Sequence, residues 1–190
     1  MNVDGIMAEL VKADSICLEK YSHENDLIVH LGVEMGGSLV VSANKKANVI
    51  GLDIFEDVKL ILIVDERSRK HYLSLFKKNK NTFDSVKNAL SKWKNITLFK
   101  SLTTDVPDLI KIESVDMLFI DADHSYEGAS SDFNAWNKHI KIGGHILFHD
   151  SISVDNWAGV VKFVNELKQN NKNFKFIESQ GSISVFKRVI

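Results

Sequence analysis

Cysteine and an excess of charge of either sign are what this sequence most clearly lacks. Cys17 is the single cysteine among 190 residues, so no disulfide can form within the chain. A chain without disulfides fits a reducing cytoplasm. The formal net charge is −1, which gives no reason to expect nucleic acid or an anionic membrane surface as the main partner. We therefore expect a cytoplasmic protein whose main partner is neither nucleic acid nor a membrane surface.

Long apolar runs are also missing. The longest run near the middle of the chain, residues 60–64, is far too short to cross a bilayer. Asp4 and Glu9 come early and no basic start precedes them, so the N-terminus does not resemble a signal peptide. The sequence has no internal repeat and no low-complexity segment. Its length suits one hydrophobic core, and we predict a single domain over residues 1–190.

Short apolar strands alternate with amphipathic helices along the chain. Apolar residues at helical spacing predict an N-terminal helix at residues 3–21. This alternation predicts a doubly wound, Rossmann-like α/β sheet, mostly parallel, with helices on both faces and an antiparallel C-terminal hairpin. Strands are predicted at 27–31, 49–53, 96–99, 117–120, 146–148, 174–177 and 183–186, a turn at 142–145, and further helices from 39 and at 83–93, 106–110, 130–140 and 157–168.

Residues 55–95 are long for a connection between two strands. They are predicted to contain at least one helix and an insertion that could lie over a ligand site as a lid. The alternative is that these residues form an ordinary surface connection without a role at a ligand site.

A glycine-rich turn follows the first long strand. In Gly32-Val-Glu-Met-Gly-Gly-Ser38 the glycines permit unusual backbone conformations and close approach of a ligand. The free N–H groups of the helix that follows can hold a polar or anionic group. Asp53 ends the next strand and is placed to accept hydrogen bonds from ribose hydroxyls. The spacing is not Gly-x-Gly-x-x-Gly, which disfavours a nicotinamide dehydrogenase, and a purely structural turn is the alternative.

Carboxylates and histidines follow two strands that we expect to be neighbours. Asp121, Asp123 and His124 follow one strand, and His149 and Asp150 follow the other. Ligands of open α/β sheets bind at this edge, where gathered carboxylates repel one another unless a cation intervenes. A divalent metal is therefore predicted, with oxygens favouring Mg²⁺ or Mn²⁺ and imidazole favouring Mn²⁺ or Fe²⁺. Taken singly, each of these residues could instead cap a turn or bond the backbone.

These motifs resemble those of class I S-adenosylmethionine-dependent methyltransferases. The chain is most similar to the metal-dependent macrocin and mycinamicin sugar O-methyltransferases, and more distantly to the catechol and caffeoyl-CoA enzymes. The similarity covers about residues 27–186, with a poor match through 55–95. It implies Asp121 and Asp150 as metal ligands and His124 as the general base. From its position in the cluster, His149 could add a nitrogen ligand. The residues implied to bind the cofactor are His30, Gly32, Gly36, Gly37, Ser38, Asp53, Ser101, Asp121 and Asp123.

The chain departs from the family pattern at two places. His30 stands where the family usually carries an acid beside the cofactor's amino group, and a protonated imidazole there would repel that ammonium. The second metal strand ends in His149-Asp150, where two acids or Asp-Asn are common.

The resemblance implies methyl transfer from S-adenosylmethionine to a hydroxyl of a small molecule, a sugar or a glycosylated metabolite. A divalent metal would orient the hydroxyl and lower its pKa, and His124 would take the proton. Two alternatives stay open: a metal-dependent oxygenase with a two-histidine, one-carboxylate site, and a non-catalytic domain that keeps the cofactor fold. The N-terminal helix could form a homodimer surface or an intramolecular cover.

Overall fold

The computed structural model describes residues 1–55, 66, 69–70, 73–74 and 81–190. Its strands are β1 (Asn2–Val3), β2 (Ile6–Met7), β3 (Leu27–Leu31), β4 (Asn48–Asp53), β5 (Ile96–Lys100), β6 (Val115–Ile120), β7 (Ile140–Phe148), β8 (Phe174–Gln180) and β9 (Ile183–Arg188). Its α-helices are α1 (Lys12–Tyr21), α2 (Gly37–Asn44), α3 (Phe83–Ala89), α4 (Tyr126–Trp136) and α5 (Val154–Asn170), with 3₁₀ turns at Pro107–Leu109 and Asn137–His139.

Seven of these strands form one sheet in the order β5-β4-β3-β6-β7-β9-β8. The pairs from β5 to β7 are parallel, whereas β9 pairs antiparallel with both β7 and β8. The central strands β3 and β6 are almost wholly buried, as expected when helices cover both faces of a parallel sheet. The predicted doubly wound sheet with a C-terminal hairpin is confirmed.

Two hydrophobic clusters lie on opposite faces of the sheet. One contains Leu18 of α1, Leu39 of α2 and Val86 of α3. The other contains Phe133 of α4 and Val164 of α5. Because the strands alternate their side chains between the faces, β6 contributes Met117 and Phe119 to the first cluster and Leu118 and Ile120 to the second. Among the helices of the described residues, none is long and apolar enough to cross a membrane.

The predicted helix at 3–21 is wrong in its first half. Residues 2–7 form an antiparallel hairpin of β1 and β2, and the helix spans only Lys12–Tyr21. The hairpin turns at Asp4 and Gly5, which both have positive φ, a conformation that a helix cannot include. Asp14 then caps the helix, because its carboxylate accepts a hydrogen bond of 2.9 Å from the backbone N–H of Val11.

The predicted turn at 142–145 is also wrong. Strand β7 runs through Gly143 and Gly144 without interruption, and its register with β6 shifts between Val115 and Met117. Gly143 has a φ of +88°, so the glycine pair is absorbed in a bulge of the strand. Helix α4 begins four residues earlier than predicted, because Ser125 accepts a hydrogen bond from Gly128 and starts the helix.

The adjacency of β6 and β7 is confirmed. Ile120 lies opposite Phe148 at the end of the parallel pair, so Asp121 and His149 leave the sheet side by side. Helix α3 occupies part of the helix predicted at 83–93. The predicted lid falls mostly on residues 56–80, most of which lie outside the described residues, and it stays a prediction.

Candidate active site

The turn after β3 is built so that two parallel strands can approach each other. Gly32 has a φ of +90°, and a Cβ at this position would overlap the backbone carbonyl of Asp121. Gly36 also has a φ of +90° and precedes the first turn of α2. Gly32 donates its N–H to the carbonyl of Leu52 at 2.9 Å. The turn therefore connects the ends of β3, β4 and β6 at the carboxyl edge of the sheet.

Asp53 holds the glycine turn in place. One carboxylate oxygen accepts from the N–H groups of Val33 and Glu34 at 2.8 and 2.9 Å, and the other accepts from Phe55 at 2.8 Å. The side chain is buried. The sequence indicated a ribose contact but gave no sign of this structural role. Any contact between Asp53 and a ligand would therefore be made by a side chain that already holds the glycine turn.

Ser101 lies next to Asp53 at the end of β5. Its N–H donates to the backbone carbonyl of Asp53 at 3.0 Å. Its hydroxyl oxygen is buried and has no hydrogen-bond partner in the described part of the chain. A buried hydroxyl without a hydrogen-bond partner costs free energy. This position therefore suits a ligand that supplies such a partner.

A cavity of about 40 Å³ separates the glycine turn from the N-terminal segment. The N-terminal segment packs tightly against the start of α2, where a Cβ on Gly37 would overlap Met7 and Ala8. The cavity lining consists of Met7, Ala8, Glu9, Leu10, Gly32, Val33, Glu34, Gly37, Ser38 and Asp121. Four of the residues predicted to bind the cofactor therefore line this cavity. The N-terminal segment lines its other side, although the sequence gave no sign that this segment belongs to the site.

His30 is placed in the core and is not part of that wall. The ring is fully buried, its Nε2 lies 3.1 Å from the Ser42 hydroxyl, and its edge packs against Phe119. Burial lowers the pKa of His30 to about 3, so the imidazole is neutral near pH 7. The charge repulsion that the sequence suggested for a protonated His30 is therefore not expected.

Two histidines and two aspartates converge at the ends of β6 and β7. His149 Nδ1 lies 2.9 Å from Asp121 Oδ1 and 3.8 Å from Asp150 Oδ2. His124 Nε2 lies 3.4 Å from Asp121 Oδ1 and 3.5 Å from Asp150 Oδ2. Asp150 has a φ of +50°, a conformation that Asp tolerates better than most residues. The structure therefore brings the three predicted metal ligands and the predicted base into one cluster.

Opposite charges dominate the electrostatics of this cluster. Burial alone raises the pKa of Asp121, but the neighbouring rings of His149 and His124 outweigh it and hold that pKa well below the usual range. Burial likewise lowers the pKa of His149, but Asp121, Asp14 and Asp150 outweigh it and raise that pKa well above the usual range. When no cation is bound, His149 is therefore an imidazolium that pairs with the carboxylates.

Asp14 of α1 is a member of the cluster that the sequence did not reveal. Its Oδ2 lies 3.5 Å from Nε2 of His149, and the residue is almost completely buried. Its Oδ1 accepts a hydrogen bond of 2.7 Å from the N–H of Ser182. Burial raises the pKa of Asp14, but His149 and these backbone donors outweigh it, and the net pKa is lowered. Both ring nitrogens of His149 thus face a carboxylate.

Trp157 covers the outer face of His124. The two rings stack with centroids 4.1 Å apart and planes 26° apart. Trp157 interrupts the regular geometry of α5, with φ −135° and ψ 56°. The N–H of Val160 donates to the carbonyl of His124 at 3.2 Å, which fixes the start of α5 beside the cluster. The sequence indicated an apolar helix here but not this stacking.

Asp123 serves the local backbone. Its Oδ1 accepts a hydrogen bond of 2.9 Å from the N–H of Ser125, and a Cβ on Gly128 would contact its side chain. Asp123 therefore stabilises the turn before α4, which is the turn-forming role that the sequence offered as the alternative. Its predicted place beside a cofactor stays a prediction.

Comparison with known proteins agrees with this architecture. Residues 29–151 match the family described as "Methyltransferase domain". A stretch of 124 residues, 64% of the chain, is 32% identical to the uncharacterized protein R132 of Acanthamoeba polyphaga mimivirus. The chain spans about half the length of that relative.

Solved structures share the fold at low sequence identity. The O-methyltransferase NovP has a TM-score of 0.67 at 14% identity, over 93% of this chain and 80% of NovP. SMU.1697c of Streptococcus mutans, crystallised in complex with SAH, has a TM-score of 0.62 at 11% identity, over 95% and 100%. A methyltransferase of Geobacter sulfurreducens has a TM-score of 0.63 at 11% identity, over 95% and 81%. Since the family match spans well over half of the chain, the protein belongs to the family of methyltransferase domains.

Proposed function

We propose that the protein transfers the methyl group of S-adenosylmethionine to a hydroxyl of a small molecule. The observation that carries the proposal is the position of the charged cluster in a methyltransferase domain. Asp121 lines the cavity beside the glycine turn and also contacts both histidines of the cluster. A methyl donor bound along the turn would therefore end next to groups that can bind and deprotonate an acceptor.

The described residues fit the cofactor in three respects. Gly37 and Ser38 begin α2 at the cavity wall, where helix N–H groups suit a carboxylate. Ser101 offers, near Asp53, a buried hydroxyl that has no hydrogen-bond partner among the described residues. His30 is neutral, so it does not oppose a cationic donor. When bound, S-adenosylmethionine supplies an electrophilic methyl group on a sulfonium.

The cluster provides chemistry suited to an alcohol. Its carboxylates can accept the hydroxyl hydrogen bond and orient the oxygen. A divalent metal held by Asp121, His149 and Asp150 would lower the pKa of that hydroxyl. His124 has two candidate roles here, proton acceptor or metal ligand, and both use its Nε2. A sugar or glycosylated metabolite is the acceptor class that the sequence resemblance favours.

A calorimetric titration of the full chain with SAH tests the cofactor assignment. We expect saturable binding of one SAH per chain, and Ser101→Ala should weaken it about two- to tenfold through the loss of one hydrogen bond. Ser114→Ala is the matched control, because that hydroxyl is exposed and donates to the carbonyl of Lys111. A chain that binds no SAH would contradict the proposal.

Turnover is tested with labelled S-adenosylmethionine and a panel of hydroxyl compounds that includes free and glycosylated sugars. Methyl transfer to an oxygen, identified by mass spectrometry, is the expected result. Binding of SAH without transfer to any acceptor would favour a non-catalytic cofactor-binding domain.

A metal-dependent oxygenase is the second candidate, because one observation favours it. Asp121, His124 and His149 each offer a ligand atom, and these atoms lie within 4.8 Å of one another. Two histidines and one carboxylate are the ligands of many non-haem iron oxygenases. Iron in the aerobically purified protein, together with no SAH binding, would favour this alternative.

A further inference from the structure

The loop that follows β5 is attached to helix α4 through Thr103. The Thr103 hydroxyl donates a hydrogen bond to the carboxylate of Asp132. The backbone carbonyl of Thr103 accepts a hydrogen bond of 2.8 Å from the indole N–H of Trp136. Asp132 and Trp136 are four residues apart in α4, so they lie on one face of the helix. Thr103 is therefore held by its side chain and by its main chain from the same face of α4.

Burial makes this attachment hard to break. Asp132 and Trp136 are both almost completely buried, and Trp136 packs with Phe133 in the hydrophobic cluster on this face of the sheet. If Thr103 moved away, a buried carboxyl and a buried indole N–H would each lose a hydrogen-bond partner, which costs more than the bond itself contributes. The loop is therefore fixed to a helix that is itself fixed on the sheet.

Ser101 lies between two fixed points of this loop. Its N–H donates to the carbonyl of Asp53 at 3.0 Å, and Thr103, two residues later, is held by α4. The N–H of Asp105 donates to the carbonyl of Leu102 at 3.2 Å and closes the turn between them. Two attachments so close in sequence leave the main chain of Ser101 little freedom. They therefore fix the place from which its buried hydroxyl, unpartnered among the described residues, projects.

We infer that Asp132 and Trp136 are positioning residues, which act through Thr103 to hold the Ser101 hydroxyl in place for the methyl donor. The inference rests on the proposed function, because it requires that Ser101 contacts S-adenosylmethionine. A hydrogen-bonding group that is already held in its bound position loses less conformational entropy when the ligand binds. Loosening the loop should therefore weaken cofactor binding even though Ser101 itself is unchanged.

Calorimetric titration of the full chain with SAH compares variants that break the bond between Thr103 and Asp132 with variants that keep it. Thr103→Val and Asp132→Leu remove the donor and the acceptor with little change in volume, and each should weaken SAH binding about three- to tenfold. Thr103→Ser keeps the hydroxyl and Asp132→Asn keeps an oxygen that accepts, so both should bind SAH within about twofold of the wild type. Thr104→Val is the matched control, because Thr104 is exposed in the same loop.

A double-mutant cycle shows whether Thr103 acts through Ser101. In the Ser101→Ala background, Thr103→Val should weaken SAH binding by less than about twofold further, because residues that act as one unit are not additive.

Hydrogen exchange of the unliganded protein gives a readout that needs no cofactor. The Ser101 amide should exchange at least about tenfold faster in Thr103→Val than in the wild type. The Ser114 amide, which donates to the carbonyl of His139, should keep its rate and so exclude a general loss of stability.

Three results would overturn the inference and leave the proposed function intact. Thr103→Val could bind SAH as tightly as the wild type, its effect could multiply with that of Ser101→Ala, or the Ser101 and Ser114 amides could accelerate equally. The last result would show that Thr103 stabilises the whole domain and does not position Ser101. A wild-type chain that binds no SAH would instead contradict the proposed function and the inference with it.

Discussion

At the residue scale, neighbours rather than residue type decide which histidines carry charge. His30 and His149 are both buried, His30 in β3 and His149 directly after β7, with β6 between these two strands. His30 faces the Ser42 hydroxyl and Phe119, and burial lowers its pKa. His149 faces carboxylates on both ring nitrogens, and these overcome the effect of burial. A sequence cannot distinguish these cases, because the neighbours come from distant elements.

Asp132 gives a prediction at the same scale. It is buried in α4, where its carboxylate accepts a hydrogen bond from the Thr103 hydroxyl. Burial, and to a lesser degree Asp123, raise the pKa of Asp132 from 3.8 to about 7. Because the folded-state pKa lies above the unfolded one, the stabilising effect of this group is complete below about pH 4. It is lost as the pH rises towards 7.

Asp132→Asn should remove this loss of stability with rising pH. The free energy of unfolding of the wild type, relative to the variant, should fall between about pH 4 and pH 7, by at most about 1.4 kcal/mol per pH unit. Urea denaturation at several pH values measures it. Thr103→Val should extend the decline to higher pH, because the Thr103 hydrogen bond favours the charged form and its loss raises the pKa of Asp132 further. A difference between wild type and Asp132→Asn that is constant with pH would contradict the prediction.

At the scale of elements, the site depends on how closely β3 and β6 approach each other. Gly32 is where these strands leave the sheet, and the missing side chain leaves room for the backbone of Asp121. Any Cβ at Gly32 would therefore push apart the glycine turn and the charged cluster, which the proposed function needs side by side.

Gly32→Ala should lower the free energy of unfolding by about 2 to 4 kcal/mol, from strain at positive φ and from overlap with backbone. Gly5→Ala is the control, because Gly5 has a similar φ of +93° but nothing within 4 Å of an added Cβ. It should cost only about 1 kcal/mol, from strain alone. Chemical denaturation measures both. Equal effects of the two substitutions would show that close packing at Gly32 is unimportant.

At the scale of the whole molecule, the sequence predicted what depends on local pattern. Strands β3 and β4 were predicted to within one residue at each end and β6 to within two, because they are apolar runs bounded by polar turns. The grouping of Asp121, His124, His149 and Asp150 followed from the expected adjacency of β6 and β7. The hairpin at residues 2–7 was missed because its apolar residues also fit helical spacing, and the Asp4–Gly5 turn outweighs that pattern.

The role of Asp14 was unpredictable for a different reason. It precedes His149 by more than one hundred residues, and only tertiary packing brings the two together. Through its hydrogen bonds to Val11 and Ser182 it also connects α1 with the loop between β8 and β9. One carboxylate thus joins an N-terminal helix, the C-terminal hairpin and the edge of the sheet that carries the cluster.

Asp14→Asn should therefore destabilise the whole domain. The substitution keeps the volume but removes the charge that faces His149, and breaking a buried pair by removing one partner costs about 3 kcal/mol or more. Glu24→Gln is the matched control, since it also replaces an acid by its amide but Glu24 pairs with Lys46 at the surface. An exposed pair contributes less than about 1 kcal/mol. Thermal and urea unfolding at pH 7 measure the two costs, and a loss for Asp14→Asn no larger than for Glu24→Gln would show that the domain does not depend on this buried link.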